Sequence, residues 1–202
     1  MDYILILIAY ILGAIPFGLI ITRLVAKTDI RQHGSGNIGA TNVMRKLGPG
    51  IAVLVLLLDL GKGALVIYAA HHLEVSLPVL LLSGFAVVFG HCFPVFLGFK
   101  GGKGVATTLG VLLMIPGFIV PILTILLIFI VIVALTRYVS LGSVVAALLI
   151  PMAFFILSYT ESFNFSSEHI IFGTGIAALV IILHRENIRK LLAGQESKIG
   201  AK

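Results

Sequence analysis

Two glycine-rich segments of the sequence combine backbone freedom with hydrogen-bond donors and positive charge. The first reads GSGNIGATNVMR over residues 34–45, and the second reads GFKGGKGVATT over 98–108. Glycines let the backbone turn with positive φ, so that successive N–H groups can form an anion nest. Arg45 adds a planar fork that matches phosphate oxygens, and Lys103 adds a point charge just before a predicted helix. Both segments indicate phosphate binding, although each could instead be a polar turn between helices.

The candidate binding residues in these segments are glycines and neutral or cationic donors. They are Gly34, Ser35, Gly36, Asn37, Thr41, Asn42 and Arg45 in the first segment, and Gly101, Gly102, Lys103 and Gly104 in the second. The second segment is not a Walker A loop. Leu97 stands where the first glycine should be, and Gly104 stands where a Ser or Thr would bind magnesium. ATP is therefore not implied.

Two further polar segments follow later in the chain. Arg137, Ser140 and Ser143 begin a predicted helix, and the two serines could share one helical face. The sequence HRENIRKLLAGQE over 184–196 predicts the end of the last span continuing as a helix. His184 could be a packing or capping residue as readily as a chemical one. No H-x-x-x-x-D pattern occurs, so the histidine–aspartate acyltransferase motif is absent. The sequence also has no H-E-x-x-H pattern and no Asp cluster, which argues against a catalytic metal.

The elements that carry these segments are predicted to lie in a membrane. A mean hydropathy of +1.18, with 59% hydrophobic and 11% charged residues, excludes an ordinary soluble domain. The formal net charge of +6 would suggest nucleic acid in a soluble protein. In a membrane protein it is explained by topology and by anionic lipid headgroups. The lone Cys92 predicts neither a disulfide nor a thiolate metal site.

The hydrophobic pattern predicts an all-α membrane protein with one domain over residues 1–202 and seven spans. The spans are about 3–22, 51–70, 79–97, 105–118, 119–135, 141–158 and 169–183. A single helix over 105–135 would measure about 46 Å at 1.5 Å per residue, which is too long for a core of about 30 Å. Pro116, Gly117 and Pro121 favour a break in this stretch.

The distribution of basic residues predicts the orientation. Apart from Lys62, every Lys and Arg lies in four stretches, namely 23–49, 98–104, 136–140 and 184–202. The intervening connections 71–78, 116–121 and 159–169 contain none. Basic residues stay on the cytoplasmic side, so we expect the N-terminus outside, the C-terminus inside and the polar segments at the inner surface.

Two charges lie within the second predicted span. Asp59 and Lys62 are three residues apart, which would place them on one helical face and allow them to pair. A charged residue inside a bilayer is expensive and is usually paired or functional. This pair is therefore expected either to be structural or to line an inner cavity. His91, before Pro94, is ambiguous in the same way.

Taken together, the segments GSGNIGATNVMR, FKGGKGVAT, RYVSLGS and HRENIRKLLAGQE resemble the acyl-phosphate-dependent glycerol-3-phosphate acyltransferases of bacteria, the PlsY family. The resemblance covers nearly the whole chain and keeps the order of the motifs. It implies a seven-helix inner-membrane enzyme that moves a fatty acyl group from acyl phosphate to the 1-hydroxyl of glycerol 3-phosphate. The products would be lysophosphatidate and phosphate.

The resemblance also implies roles for individual residues. Ser35 and Arg45 match an important serine and arginine, His184 and Asn187 match a polar pair, and Glu196 matches a structural glutamate. The second segment matches a phosphate site, and Arg137, Ser140 and Ser143 match the polar edge of the sixth span. We expect Ser35, His184 and Asn187 to be catalytic, with His184 as the proton acceptor because histidine ordinarily titrates near neutral pH. The phosphate of the donor is the alternative acceptor.

The expected partners are the two phosphorylated substrates and membrane lipids, with no cofactor, metal or nucleic acid. A membrane transporter for an organic phosphate is the main alternative. It predicts a midplane site and polar groups at both ends of the helices. The connections on the outer side are chemically poor, which favours the enzyme.

Overall fold

The computed structural model describes residues 2–160 and 165–200, and every regular element in these ranges is helical. The α-helices are α1 (Asp2–Gly13), α2 (Phe17–Ala26), α3 (Ala40–Leu47), α4 (Pro49–His72), α5 (Leu77–Cys92), α6 (Val105–Met114), α7 (Ile119–Thr136), α8 (Val139–Leu157), α9 (Ser167–Leu183) and α10 (Arg185–Leu192). Short 3₁₀ turns occupy Ile30–Gln32 and Val95–Leu97. The chain forms two compact units, Met1–Val111 and Leu112–Lys202.

Five helical stretches of the described residues are long and apolar enough to cross a bilayer. They are Tyr3–Ala26, Pro49–His72, Leu77–Leu97, Ile119–Thr136 and Val139–Leu157. A sixth arises if α9 and α10, which meet at a bend of 60°, count as one span. The predicted span 105–118 corresponds to α6, whose 10 residues reach only about 15 Å, or half of a bilayer core. The predicted all-helical class is confirmed. By length and hydropathy, the described helices provide five or six spans, fewer than the seven predicted.

The first span is interrupted rather than continuous over 3–22. Helix α1 ends at Gly13 and α2 begins at Phe17. Pro16 lies in the break, and a proline has no N–H to donate to the preceding turn. The last carbonyl groups of α1 therefore need donors from elsewhere. The buried ammonium of Lys62 on α4 donates hydrogen bonds to carbonyl groups at this break.

Small residues bring the helices of the first unit into close contact. A Cβ on Gly13 would collide with the Val87 carbonyl, and one on Gly90 would collide with the Tyr10 carbonyl, so α1 and α5 pack backbone to backbone. Helix α6 approaches α4 in the same way at Gly110. Glycine at such crossings allows close van der Waals packing, the main attraction between helices in lipid.

An apolar cluster anchors the first polar segment to α2 and α4. Its buried members are Leu19, Ile30, Ile38, Val43, Ala52 and Val55. Ile30 and Ile38 lie on either side of the turn that begins at Gly34, and Val43 lies on α3. The turn is therefore held by apolar side chains at both of its ends.

The second unit packs α8 between α7 and α9. An aromatic cluster at one end joins Phe118, Phe154, Phe165 and His169, and the stacked rings of Phe118 and Phe154 have centroids 4.1 Å apart. Residues 161–164 of the predicted outer connection lie outside the described residues. At the other end, the chain bends at His184 into the short polar helix α10.

Candidate functional site

The first polar segment is a turn only over its first half. Helix α3 begins at Ala40, so Thr41, Asn42 and Arg45 are helical. The side-chain oxygen of Asn37 accepts the N–H of Gly39 at 2.9 Å, next to the helix start. The sequence signal of clustered glycine and asparagine predicted the turn but not this helix, which is short and amphipathic.

The turn is organised around the side chain of Asn42, which is 2% exposed. Its Oδ1 accepts the N–H of Ser35 at 3.0 Å. Its Nδ2 donates to the carbonyl oxygens of Ile30, His33 and Asn37 at 3.2, 2.9 and 2.8 Å. Each such bond contributes about 0.5–1.5 kcal/mol. Asn42 therefore shapes the turn, and its amide is used by the protein itself.

The backbone of the turn is less available to a ligand than the glycine pattern suggested. The N–H of Ser35 donates to Asn42, and that of Gly36 donates to the His33 carbonyl at 3.0 Å. Gly34 and Gly36 do take positive φ values of 55° and 70°. The expected anion nest is thus not formed by these two N–H groups. The side chains of Ser35 and Arg45 are exposed, and Thr41 lies one helical turn from Arg45.

The second glycine-rich segment folds back onto the end of α5. The N–H groups of Gly101 and Gly102 donate to the carbonyls of Cys92 and His91 at 3.1 and 3.0 Å. A Cβ on Gly101 would strike the His91 carbonyl, and one on Gly102 would strike His91 Nε2. A side chain at either position would force its neighbour to move, because Gly101 lies against the backbone at the end of α5 and Gly102 lies against the His91 ring. Lys103 and Gly104 then lead into α6, whose first residue is Val105.

The two segments of the first unit are joined directly. The Nδ2 of Asn37 donates to the carbonyl oxygen of Gly101 at 3.4 Å. This hydrogen bond connects residues 64 positions apart in the sequence. The structure therefore brings the turn at 34–39 and the glycine-rich segment at 101–104 together, as a common phosphate site would require.

The edge of the first segment also carries an ionic cluster. Arg31 donates to Asp29 at 2.6 Å and Arg23 donates to it at 2.9 Å. The Arg31 guanidinium, through its hydrogen bonds, holds the pKa of Asp29 well below its ordinary value. Asp29 therefore stays ionised at neutral pH and also caps the 3₁₀ turn by accepting the N–H of Arg31.

A buried ionic group lies behind the glycine-rich segment. Lys62 Nζ is 2.9 Å from Asp59 Oδ1 and donates to the Gly13 and Ile15 carbonyls at 2.9 and 3.1 Å. It is also 2.9 Å from His91 Nδ1. The predicted pairing of Asp59 with Lys62 is present, and sequence reasoning missed the third partner. The only sequence signal for His91 was a histidine at the end of an apolar run before Pro94.

In the second unit, Glu196 joins two helices. Its Oε1 accepts from the Ser140 hydroxyl on α8 and from the Asn187 amide on α10, both at 2.7 Å. Ser143, one turn beyond Ser140, instead donates to the Val139 carbonyl of its own helix at 2.9 Å. The two serines share a face as expected, but the Ser140 hydroxyl bonds to the C-terminal segment whereas the Ser143 hydroxyl bonds to its own helix.

Arg137 is engaged by the C-terminal segment. Its Nε and Nη2 donate to the Ile199 carbonyl at 3.2 and 2.9 Å, and the Ile199 N–H donates to the Arg137 carbonyl at 2.8 Å. Arg137 itself takes a φ of 65° at the end of α7. The sequence provided no signal for this pairing, since residues 197–200 form no recognisable motif.

His184 is 3% exposed and lies at the bend between α9 and α10. Its Nδ1 is 2.8 Å from the Val180 carbonyl oxygen. A carbonyl oxygen can only accept, so Nδ1 carries the proton in this arrangement. The neutral ring then has its lone pair on Nε2, which is the form that a general base requires.

The helices and polar segments described above define an all-helical integral membrane protein. Residues 3–194 match the family described as Glycerol-3-phosphate acyltransferase. The chain therefore belongs to the glycerol-3-phosphate acyltransferase family.

Relatives and solved structures agree with this assignment. A glycerol-3-phosphate acyltransferase of Syntrophomonas wolfei is 45% identical over 197 residues, covering 96% of this chain and 95% of the relative. One of Jannaschia sp. is 46% identical over 195 residues, covering 96% and 91%. The crystal structure of PlsY (YgiH), an integral membrane glycerol 3-phosphate acyltransferase, in its glycerol 3-phosphate form has a TM-score of 0.88 and 41% identity, covering 98% of this chain and 96% of that one. Its lysophosphatidic acid form has a TM-score of 0.85 and 40% identity, covering 98% and 95%.

Replacing Glu196 tests whether its acceptor oxygen holds the second unit together. Glu196→Ala leaves the Ser140 hydroxyl and the Asn187 amide without that acceptor, which should lower the free energy of unfolding by about 1.5–3 kcal/mol. Glu196→Gln keeps an acceptor oxygen and should retain most of the stability. Melting temperature in detergent measures both. The control is Glu186→Ala, which removes an exposed ion pair with Arg189 and should cost less than about 1 kcal/mol. Equal losses for Glu196→Ala and Glu186→Ala would refute the role.

Proposed function

We propose that this chain transfers a fatty acyl group from acyl phosphate to the 1-hydroxyl of glycerol 3-phosphate, forming lysophosphatidate and inorganic phosphate. Family membership supports the acceptor, and PlsY, which is similar over nearly the whole chain, has glycerol 3-phosphate and lysophosphatidic acid forms. The observation in this chain that carries the proposal is the hydrogen bond from Asn37 to Gly101, since it joins two cation-bearing polar segments. Membership of an acyltransferase family argues against the alternative function of a transporter.

Binding two phosphorylated molecules close together requires compensation for their mutual repulsion. In the first unit, Arg45 and Lys103 supply positive charge, and Ser35 and Thr41 supply hydroxyl donors. Arg45 suits a phosphate because its planar fork can make two parallel hydrogen bonds. We assign Gly101, Gly102 and Gly104 the role of bringing the backbone close to the ligand, since side chains there would displace the segment. Arg137, Ser140 and Ser143 are assigned to substrate binding in the second unit.

The proposed reaction needs little covalent assistance. The 1-hydroxyl oxygen of glycerol 3-phosphate attacks the acyl carbonyl carbon, and a new ester C–O bond forms. The bond between that carbon and the phosphate oxygen breaks, and phosphate leaves with the electron pair. Holding hydroxyl and carbonyl in attack geometry can supply much of the acceleration. Donors such as Ser35 that face the developing oxyanion would supply more.

The hydroxyl proton must go to a base, and we assign it to Nε2 of His184. The hydrogen bond from Nδ1 to the Val180 carbonyl supports this assignment because it leaves Nε2 as the acceptor. We assign Asn187, about one helical turn after His184, a catalytic role beside it. Its amide is oriented by the hydrogen bond that it donates to Glu196. A phosphate oxygen of the donor is the competing acceptor.

We further propose that the protein lies in the bacterial inner membrane with seven spans, the N-terminus outside and the polar segments at the cytoplasmic surface. The distribution of Lys and Arg supports this orientation. In this arrangement α6 is the seventh span, and its length of 10 residues requires a thinned bilayer or a neighbouring non-helical segment. Soluble glycerol 3-phosphate would then arrive from the cytoplasm, while the acyl chain stays in lipid.

The donor is tested with purified protein in detergent. Labelled glycerol 3-phosphate is supplied with palmitoyl phosphate, palmitoyl-CoA or palmitoyl carrier protein, and labelled lysophosphatidate is measured. We expect product with palmitoyl phosphate alone, because the mixed anhydride already carries a good leaving group. Boiled enzyme is the control for spontaneous acylation. Product only with a thioester donor would contradict the donor assignment, and counterflow of glycerol 3-phosphate in liposomes without acylation would favour transport.

The proton acceptor is tested by removing the imidazole. His184→Ala should lower kcat by about 10²-fold or more, because a general base typically contributes 10²–10⁴-fold. His71→Ala, at an exposed histidine near the end of α4, is the control and should leave kcat unchanged. Melting temperatures of both variants separate loss of chemistry from loss of folding. A loss of kcat smaller than about tenfold in folded His184→Ala would assign the proton to the donor phosphate instead.

A further inference from the structure

His91 lies between a buried charge and the glycine-rich segment. Its Nδ1 is 2.9 Å from Lys62 Nζ. Its Nε2 is the atom that a Cβ on Gly102 would strike first, followed by Cδ2 and Cε1 of the same ring. The side chain is 4% exposed. The imidazole is therefore in contact with the backbone of the segment to which we assign phosphate binding.

The orientation of this ring is determined by two charged groups of α4 and by carbonyl groups at the break after α1. Nδ1 of His91 lies 2.9 Å from Lys62 Nζ and 3.4 Å from Asp59 Oδ1. With Lys62 as an ammonium, which can only donate, Nδ1 accepts from the nearer group and the ring proton is on Nε2. Lys62 is in turn held by Asp59 on its own helix and by the Gly13 and Ile15 carbonyls at the break after α1. With four fixed neighbours, the ammonium has little freedom to move. The imidazole it holds is correspondingly rigid.

The main chain adds a second connection between His91 and the segment. The His91 carbonyl accepts the N–H of Gly102, and the Cys92 carbonyl accepts that of Gly101. These bonds use carbonyl groups at the end of α5 that no longer have partners within the helix. The segment is thus held against α5 by its backbone and supported by the ring beneath Gly102. From Gly101 the contact continues to Asn37 in the first polar segment.

We propose that His91 is a positioning residue, whose imidazole, oriented by Lys62 and Asp59, sets the position of Gly102 for binding the phosphate of a substrate. This inference rests on the proposed phosphate-binding role of the glycine-rich segment. It means that Asp59 and Lys62, the buried charges of α4, affect substrate binding as well as folding. A displacement of the backbone at such a site by about 1 Å can reduce turnover by up to 10²-fold.

A suppressor experiment tests the contact between ring and glycine. Gly102→Ala should raise the KM for one phosphorylated substrate by about tenfold or more in folded enzyme, because the new methyl group strikes the imidazole. His91→Asn retains an acceptor near the position of Nδ1 for Lys62 but removes the Nε2 edge. In the double variant, the added KM defect of Gly102→Ala should shrink to about threefold or less.

Gly101→Ala provides the matched control. Its methyl group would strike the His91 carbonyl and Pro94 Cδ, which His91→Asn leaves in place. We therefore expect no rescue of Gly101→Ala by His91→Asn. A general loosening of the protein would act on both alanine variants alike, so the difference between them isolates the ring.

KM and kcat for both substrates, together with melting temperature in detergent, are measured for all variants. If the defect of Gly102→Ala is the same with and without His91→Asn, the positioning role of His91 is refuted and the phosphate-binding role survives. If folded Gly102→Ala leaves both KM values unchanged, the phosphate-binding role of the segment fails, and the inference falls with it.

Discussion

The ammonium of Lys62 is the interaction on which the first unit depends. It lies near the middle of α4, a helix of 24 residues, and is 3% exposed. A lysine at the centre of a bilayer costs about 2.5–3.5 kcal/mol on insertion scales unless partners compensate. Here Asp59, His91 and two carbonyls of the interrupted first span are those partners. This single ammonium therefore provides hydrogen bonds to carbonyl groups at the break after α1 and connects α1, α4 and α5.

This arrangement explains how polar chemistry can be precise at the end of a lipid-embedded bundle. Helix packing without polar contacts leaves the connecting segments poorly determined, because van der Waals attraction fixes helices and not the turns between them. In the first unit, the turn at 34–39 is shaped by Asn42, and the segment at 101–104 rests on the end of α5. The bond from Asn37 to Gly101 then fixes one against the other. Positively charged side chains on such rigid supports can bind phosphate with little reorganisation.

The sequence predicted the membrane class, the polar segments and the spacing of Asp59 and Lys62, because hydropathy, glycine clusters and helical periodicity are local signals. It could not predict that His91 completes the ionic group, since that contact depends on how α5 packs against α4. It also assigned Asn42 to the ligand, whereas its amide is used by the turn. The span predicted over 105–118 is longer than α6, because prolines after Met114 indicate a break but not how far before them the helix ends.

The most direct test of the central claim compares Lys62→Met, Asp59→Asn and the double variant by melting temperature and by the folded fraction recovered in detergent. Removing one partner of a buried pair costs about 3–5 kcal/mol because the other charge is left uncompensated. We predict that Lys62→Met melts far below the unmodified protein and that adding Asp59→Asn raises its melting temperature. Losses that simply add in the double variant would contradict the account, since they would mean that the two charges act independently.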